Sequence, residues 1–242
     1  METNYAREQS SSRQQSTFQD FSKFLLEKSV VVVCPSKALE GKGLGSFIDS
    51  HDVVVRLNQG YEYPISKSGD FGTKSSLCYH YLSAANEFRY DYNLSRMKEA
   101  GIQFVVIPPR PESENLGIFL QRNSSVMLPF VLFDEAIMKW VRNHVPGLPF
   151  LGVLAVAHLS RQPIQSLHIL GMNFFNTGHF VGYDKRTEDE QIAYALNSQN
   201  DARGLQKQHF IPPQKVFINH ILTKNLNVTC DEDLKESLGG SL

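Results

Sequence analysis

Five consecutive apolar residues, Val30 to Cys34, constrain the fold of this 242-residue chain more than any other feature. The run is too short for a free-standing helix, and it lacks the alternation of a strand with one face in water. It therefore predicts a strand covered on both faces, as in a parallel sheet. Gly41, Gly43 and Gly45 follow, and a second apolar strand begins at Val53. This order predicts a βαβ unit that binds a nucleotide at the carboxyl ends of its strands.

The residues of this unit form a specific combination. Ile48 to Asp52 reads Ile-Asp-Ser-His-Asp, and the second strand ends on Arg56-Leu57-Asn58. With the three glycines and the run Gly69 to Ser75, this combination resembles the long sialylmotif of the sialyltransferases of glycosyltransferase family 29. Pro149 to Ala155, together with Leu167 to Met172, is similar to the short sialylmotif of the same family.

Two further motifs continue the resemblance in the family's order. His179-Phe180 with Tyr183-Asp184 resembles the His-Tyr-Tyr motif, and His209 with Gln214 resembles the last motif, in which Glu follows His at that spacing. The chain is thus identified by resemblance as a member of this family. The lack of a predicted membrane span and of the cysteines that form a disulfide in the animal enzymes favours a soluble bacterial or viral-type member. The resemblance implies inverting transfer of sialic acid from CMP-sialic acid to a hydroxyl of a glycan or glycolipid acceptor.

Such a transfer needs a base for the acceptor proton and a hydrogen-bond donor for the leaving phosphate. Histidine suits both roles because its unperturbed pKa lies near neutrality. The resemblance predicts that His209 acts as the base and that His179 donates a hydrogen bond to the leaving phosphate. Each also has a structural interpretation: His209 precedes a helical turn marked by Pro212 and Pro213, and His179 fits an ordinary loop histidine.

The resemblance also assigns donor-binding residues, namely Ser36, Asn58, Gly152 and Gly171. Ser36 fits a local serine turn equally well, and Asn58 fits a turn residue.

The neighbouring charged residues are predicted to hold the fold. We expect Arg56 to pair with a buried acid, either Asp49 or Asp52, and the His51-Asp52 pair to orient the second strand.

The chain departs from the family's pattern at two places. Cys34-Pro35-Ser36 replaces Gly-Asn-Ser, and Phe150-Leu151-Gly152 replaces Ser-Thr-Gly near the donor's phosphate and carboxylate. These departures leave three explanations open. Backbone amides replace the missing side chains in the pocket, the donor is another CMP-activated keto-sugar such as Kdo, or the chain is a non-catalytic nucleotide-binding protein. A nicotinamide enzyme is disfavoured because the spacing Gly41-x-Gly43-x-Gly45 is not GxGxxG and no acid ends the second strand.

Composition excludes several classes. Proteins that bind nucleic acid usually carry an excess of positive charge, and this chain has a net charge of −1. No run of 18 apolar residues and no signal peptide occur, so we predict a cytoplasmic protein without a membrane span. The sequence contains no Asp-x-Asp motif, and we predict catalysis without a metal or cofactor.

The cysteines agree with a reducing compartment. Cys34, Cys78 and Cys230 are predicted to be free thiols, since their spacing suggests neither a bridge nor a metal site. The resemblance implies that Val30 and Ile164 stand where the animal enzymes have a disulfide.

The predicted organisation is a disordered arm (1–16), one Rossmann-like (GT-A-like variant) α/β domain with a mostly parallel sheet (17–230), and a loose acidic tail (231–242). Strands are predicted at Val30–Cys34, Val53–Leu57, Leu77–Tyr81, Gln103–Ile107 and Leu167–Leu170. Helices are predicted at Phe18–Leu26, Ser95–Ala100, Asp134–His144, Val153–Leu159 and Phe217–Leu222. Lys185 to Gln208 is predicted to be a lid or surface loop with some helix.

Overall fold

A parallel sheet forms the centre of the computed structural model, which describes residues 18–62, 65–82, 90–108, 114–180, 182–197 and 210–240. Its strands are β1 (Ser29–Val33), β2 (Val53–Leu57), β3 (Leu77–Tyr79), β4 (Phe104–Ile107), β5 (Phe130–Leu132), β6 (Ser166–Leu170) and β7 (Val228–Cys230). They lie in the order β5-β4-β3-β2-β1-β6-β7, and every neighbouring pair is parallel.

Helices connect the strands and cover both faces of the sheet. They are α1 (18–25), α2 (Gly45–Asp49), α3 (Ser68–Phe71), α4 (Leu94–Glu99), α5 (Glu114–Val126), α6 (Glu135–His144), α7 (Leu151–Leu159), α8 (Glu188–Asn197), α9 (Ile211–Lys224) and α10 (Glu232–Ser237). Short 3-10 turns lie at Lys37–Leu39, Asn58–Tyr61 and Ile65–Lys67.

The central strand β1 is buried on both faces. Val30 and Val32 join a core with α1, α6, α7 and α9, whereas Val31 and Val33 join a second core with α2 and α3. All four valines have no solvent exposure. This confirms the prediction of a two-sided strand.

The strand order places a topological switch beside β1. The chain lays down β2 to β5 on one side of β1 and then returns to place β6 and β7 on the other side. The connections that leave β1 and β6 therefore diverge at their carboxyl ends. Ligands of open α/β sheets bind in the crevice at such a point.

The predicted α/β fold with a mostly parallel sheet is confirmed, and the predicted strands agree with the structure to within two residues at each end. Five short or weakly patterned elements were missed: β5, β7, α3, α5 and α10. The predicted arm of residues 1–16 lies outside the described residues.

The predicted loose tail after Asp231 is wrong for residues 232–237, which form α10. Asp231 caps this helix by accepting a hydrogen bond from the Leu234 amide, and Leu234 is fully buried in the core. One apolar residue and one capping acid are enough to dock a helix that otherwise reads as an acidic tail.

Candidate active site

A cleft lies at the carboxyl ends of β1, β2, β3 and β6, against the first turn of α7. Its walls include five of the six predicted site residues, namely Ser36, Asn58, Gly152, Gly171 and His179. The sixth, His209, lies outside the described residues. The switch point of the sheet therefore brings together residues that are up to 143 positions apart in the sequence, from Ser36 to His179.

Ser36 joins the turn after β1 to the loop after β6. Its hydroxyl accepts a hydrogen bond from the Ala38 amide (3.1 Å), which caps the 3-10 turn as the alternative interpretation predicted. The side-chain amide of Asn173 also donates to the Ser36 hydroxyl (3.0 Å), and the Thr177 hydroxyl lies 3.3 Å away. Sequence reasoning missed Asn173 and Thr177 because each is a single polar residue outside the motifs.

Asn58 ends β2 in a left-handed conformation, with a φ of 46°. Its side-chain oxygen accepts a hydrogen bond from the Tyr81 amide (3.1 Å), and its amide group donates to the Tyr183 hydroxyl (3.2 Å). Asn58 therefore links the ends of two strands to the opposite wall of the cleft. Contact between Asn58 and the donor stays a prediction.

The two predicted glycines allow close packing at the floor of the cleft. A Cβ atom on Gly152, in the first turn of α7, would lie 3.1 Å from the Met172 Cε atom. Gly171 has a φ of 71°, and a Cβ atom there would lie 2.9 Å from the Leu39 side chain. Gly171 therefore favours the residue without a side chain, and a side chain at Gly152 would require Met172 to move.

His179 lies in the loop after β6 and forms an isolated antiparallel bridge with Ser36. The His179 amide donates to the side-chain oxygen of Gln191 (2.6 Å). The His179 ring lies 4.5 Å from the Tyr183 ring and 5.2 Å from the Phe175 ring, measured between ring centroids. The imidazole is thus held at the cleft wall among aromatic side chains.

A buried ion pair supplies the charge of this wall. Arg186 donates from Nε and Nη2 to the two carboxylate oxygens of Asp184, and the side chains are only 10% and 5% exposed, respectively. Burial raises the pKa of Asp184, but the hydrogen bonds and charge of Arg186 outweigh it and hold that pKa below its usual range. Asp184 and Arg186 are the only Asp, Glu, Lys or Arg residues among the described lining residues. Sequence reasoning singled out neither for a role.

Aromatic side chains form the remaining wall. Phe150 lies 5.3 Å from Phe175 and 6.5 Å from Phe174, measured between ring centroids. Phe174 and Phe175 both have positive φ values, 52° and 65°, which are unusual for bulky residues. The Asn173 side chain accepts a hydrogen bond from the Phe175 amide and so supports this turn. The apolar residues noted in the short motif therefore face the cleft.

Arg56, the buried charged residue of the long motif, binds the backbone and does not line the cleft. Arg56 is 1% exposed, and its guanidinium donates to the carbonyl oxygens of Phe71 (2.8 Å) and Lys74 (2.7 Å). The charge of Arg56 also helps to lower the pKa of Asp49, and direct pairing of Arg56 with a buried acid stays a prediction.

Asp49 and Asp52 bind backbone amides. Asp49 accepts hydrogen bonds from the amides of Thr73 and Lys74, and Asp52 accepts from the Ser29 amide. Burial raises the pKa of Asp49, but these amides outweigh it and the pKa lies below its usual range. Asp49 thus ties α2 to the chain before β3, whereas Asp52 ties the start of β2 to the start of β1, in agreement with the role predicted for Asp52 in orienting the second strand.

Gln214 joins the helices on the other side of the cleft. It has no solvent exposure, its side-chain oxygen accepts a hydrogen bond from the Phe150 amide (2.8 Å), and its amide group donates to the Phe210 carbonyl (3.0 Å). Phe210 follows His209 in the sequence. Gln214 therefore ties the chain next to the predicted base to the start of α7.

Cys34, Cys78 and Cys230 are free and buried. Burial raises the pKa of each thiol, and Asp231 adds to the effect at Cys34 and Cys230.

No helix in the described ranges combines the length and apolar character needed to cross a membrane. No three His, Cys, Asp or Glu side chains in the same ranges cluster as metal ligands.

Comparison with known proteins gives a family and a fold. The family model for glycosyltransferase family 29 (sialyltransferase) matches residues 8–130. No curated protein sequence matches the chain significantly.

A crystal structure of a mammalian sialyltransferase in complex with Gal-beta-1-3GalNAc-ortho-nitrophenol is 15% identical, with a TM-score of 0.55, over 85% of this chain and 70% of that chain. A second crystal structure of a mammalian sialyltransferase is 16% identical, with a TM-score of 0.47, over 72% and 66% of the two chains. The first likeness supports the α/β fold.

Proposed function

Since the chain belongs to glycosyltransferase family 29 and is therefore a glycosyltransferase, we propose that it moves sialic acid from CMP-sialic acid to a hydroxyl of an acceptor glycan or glycolipid. The transfer inverts the anomeric carbon and uses no metal. The observation that carries the proposal is the position of the cleft. The predicted donor-binding residues line it at the carboxyl ends of β1 and β6, where an open α/β sheet binds a nucleotide.

The proposed reaction assigns separate roles to two histidines. His209 takes the proton of the acceptor hydroxyl as the oxygen attacks the anomeric carbon. The bond from that carbon to the phosphate oxygen of CMP breaks, and His179 donates a hydrogen bond to the departing phosphate. General-base help of this kind contributes about 10²- to 10⁴-fold to rate.

Backbone amides compensate for the apolar residues of the short motif. Leu151, Gly152 and Val153 begin α7 and line the cleft. First-turn amides have no partner within their own helix, and the positive end of the helix dipole favours an anion. This helix start supports the alternative in which the pocket binds the donor's phosphate through amides instead of Ser and Thr side chains.

Phe150 makes the identity of the donor sugar a point to be tested. Its apolar ring occupies a position where the family has a polar side chain, so the wall of the pocket near the donor differs from the family's pattern. Another CMP-activated keto-sugar, Kdo, is therefore compared directly with sialic acid.

The test combines binding and transfer. Thermal unfolding is measured with CMP, CDP, NAD and NADP, and we expect CMP to raise the melting temperature. Transfer from CMP-sialic acid and from CMP-Kdo is then assayed with a galactoside acceptor, with and without EDTA. We expect transfer of sialic acid that survives EDTA. Stabilisation by NADP alone contradicts the proposal, and loss of transfer in EDTA that Mn²⁺ restores contradicts its metal-independent part.

A further inference from the structure

A buried glutamine outside the cleft holds the loop that carries His179. Gln191 lies on α8 and is 3% exposed. Its side-chain oxygen accepts a hydrogen bond from the His179 amide (2.6 Å), and its amide group donates to the Arg186 carbonyl (3.0 Å). One side chain therefore binds both ends of the chain from His179 to Arg186, which contributes Tyr183 and the Asp184–Arg186 ion pair to the cleft wall.

The start of α8 packs closely against this loop. A Cβ atom on Gly178 would lie 2.7 Å from the side-chain oxygen of Gln191 and 2.9 Å from the Glu188 Cγ atom. Glu188 accepts a hydrogen bond from the Gly178 amide (3.2 Å) and forms an ion pair with Lys37. The glycine thus permits the approach that the Gln191 hydrogen bonds require.

The turn after β1 holds the same loop from the opposite side. The Lys37 amide donates to the Gly178 carbonyl (2.9 Å), and the Phe180 amide donates to the Pro35 carbonyl (3.1 Å). His179 therefore lies between two fixed elements, the end of β1 and the Gln191 side chain. Displacing either one moves the imidazole relative to the floor of the cleft.

We propose that Gln191 is a positioning residue for the transfer reaction and acts through His179. The inference rests on the proposed function, because it takes His179 as the group that meets the leaving phosphate. Without the glutamine amide, the buried groups at both ends of the loop lose a partner, and the loop shifts to recover one. Small displacements of a reacting group cost much of the benefit of a preorganised site.

The test compares Gln191→Met, which keeps the shape but removes both hydrogen bonds, with Asn123→Leu. Asn123 is a matched control because it is also buried, and its side-chain amide also makes two backbone hydrogen bonds, both to Leu128. We expect both variants to lower the melting temperature. Gln191→Met lowers kcat about tenfold, as expected for a group displaced from its productive geometry, and Asn123→Leu leaves kcat within about twofold of wild type.

A double-mutant cycle separates positioning from general loosening of the fold. In a His179→Ala background, Gln191→Met is expected to lower kcat no further, because the residue through which it acts is gone. If Gln191→Met does not fold, Gln191→Glu enters the same cycle, since it keeps an acceptor for the His179 amide and loses the donor to Arg186.

Three outcomes overturn the inference or its premise. Equal kcat for Gln191→Met and Asn123→Leu contradicts it, and so do additive effects of the Gln191 and His179 substitutions. Absence of transfer by the wild-type protein contradicts the proposed function itself and removes the inference with it.

Discussion

Two regions of the chain meet at the cleft, and they use their polar residues in different ways. In the first block, residues 30–76, Arg56 and Asp49 bind the backbone of the chain between α3 and β3, and Asp70 binds the amides of Gly41 and Gly43. In the return block, residues 171–191, polar side chains line the cleft. The block with the more specific sequence pattern therefore mainly builds the scaffold, whereas the less regular block shapes most of the polar wall of the site.

This difference explains how the cleft tolerates changes in the short motif. The scaffold fixes where the strands end, and the return block then supplies polar groups from a loop that β1, α8 and α10 hold in place. Asn173 is an example, because its side chain bonds Ser36 of the first block, and its carbonyl accepts a hydrogen bond from Ser237 of α10. Substitutions in the two blocks should therefore separate stability from activity.

The largest expected effect is on the scaffold. Arg56→Ala leaves the buried carbonyl oxygens of Phe71 and Lys74 without the guanidinium, and we expect a loss of about 4 kcal/mol in the free energy of unfolding. Urea unfolding measures it. Arg96→Ala is the control, because that side chain is 64% exposed and its ion pair with Glu62 spans 3.7 Å. A loss for Arg56→Ala as small as that of the control contradicts a scaffold role.

Acid should also act on the scaffold before the cleft. His158 has no solvent exposure and contacts the Tyr79 hydroxyl (2.9 Å), and burial lowers its pKa to about 4. Because the unfolded chain binds this proton more tightly, stability is complete above pH 6.5 and declines as the pH falls towards 4, by up to about 3 kcal/mol. Urea unfolding of wild type and His158→Gln across this range is the measurement. A variant with the same pH dependence as wild type shows that other groups cause the decline.

The third effect concerns the chemical step. His209→Ala should lower turnover by roughly 10²-fold or more and leave CMP binding nearly unchanged, because a general base contacts the acceptor and not the nucleotide. Steady-state kinetics and calorimetric CMP titration measure the two quantities. His220→Ala, on the exposed side of α9, is the control. Near-normal turnover in His209→Ala with an inactive His220→Ala or His179→Ala would place the last motif on the wrong histidine.

The smallest effect is expected at Asn58, where the first block contacts the return block. Asn58→Ala should weaken CMP binding about tenfold and change turnover little at saturating donor, since a buried polar contact is worth about 1 to 1.5 kcal/mol. Asn93→Ala provides the control, because Asn93 caps α4 away from the cleft and its loss affects stability alone. Equal CMP affinity in the two variants contradicts donor contact by Asn58.

Much of the scaffold could be predicted from sequence because its signals are local. Uniform apolar runs such as Val30 to Cys34 identify buried strands, and Asp134 before an amphipathic stretch identifies the start of α6. β5 and β7 were missed although β3, which also has three residues, was predicted, so length alone does not decide which strands a sequence pattern reveals. The docking of α10 depends on Leu234 and on a hydrogen bond from the Gly171 amide to Asp231. Because Gly171 is distant in the sequence, no local pattern predicts this docking.

The candidate site was predictable where residues belong to motifs and unpredictable where they act through long-range contacts. Ser36 and His179 belong to motifs, and the fold brings them into one bridge. Asn173 and Gln191 are single amides, and their importance follows only from the backbone groups they meet. Arg56 is a further case, because its charge suggested an acidic partner but no local pattern predicted its hydrogen bonds to the carbonyl oxygens of Phe71 and Lys74.

A crystal structure of the wild-type protein with CMP tests the central claim most directly. The account predicts the nucleotide in the cleft between the ends of β1 and β6, with its phosphate near the start of α7 and within hydrogen-bond distance of the His179 imidazole. CMP bound elsewhere on the molecule, or an empty cleft in crystals grown with saturating CMP, would contradict it.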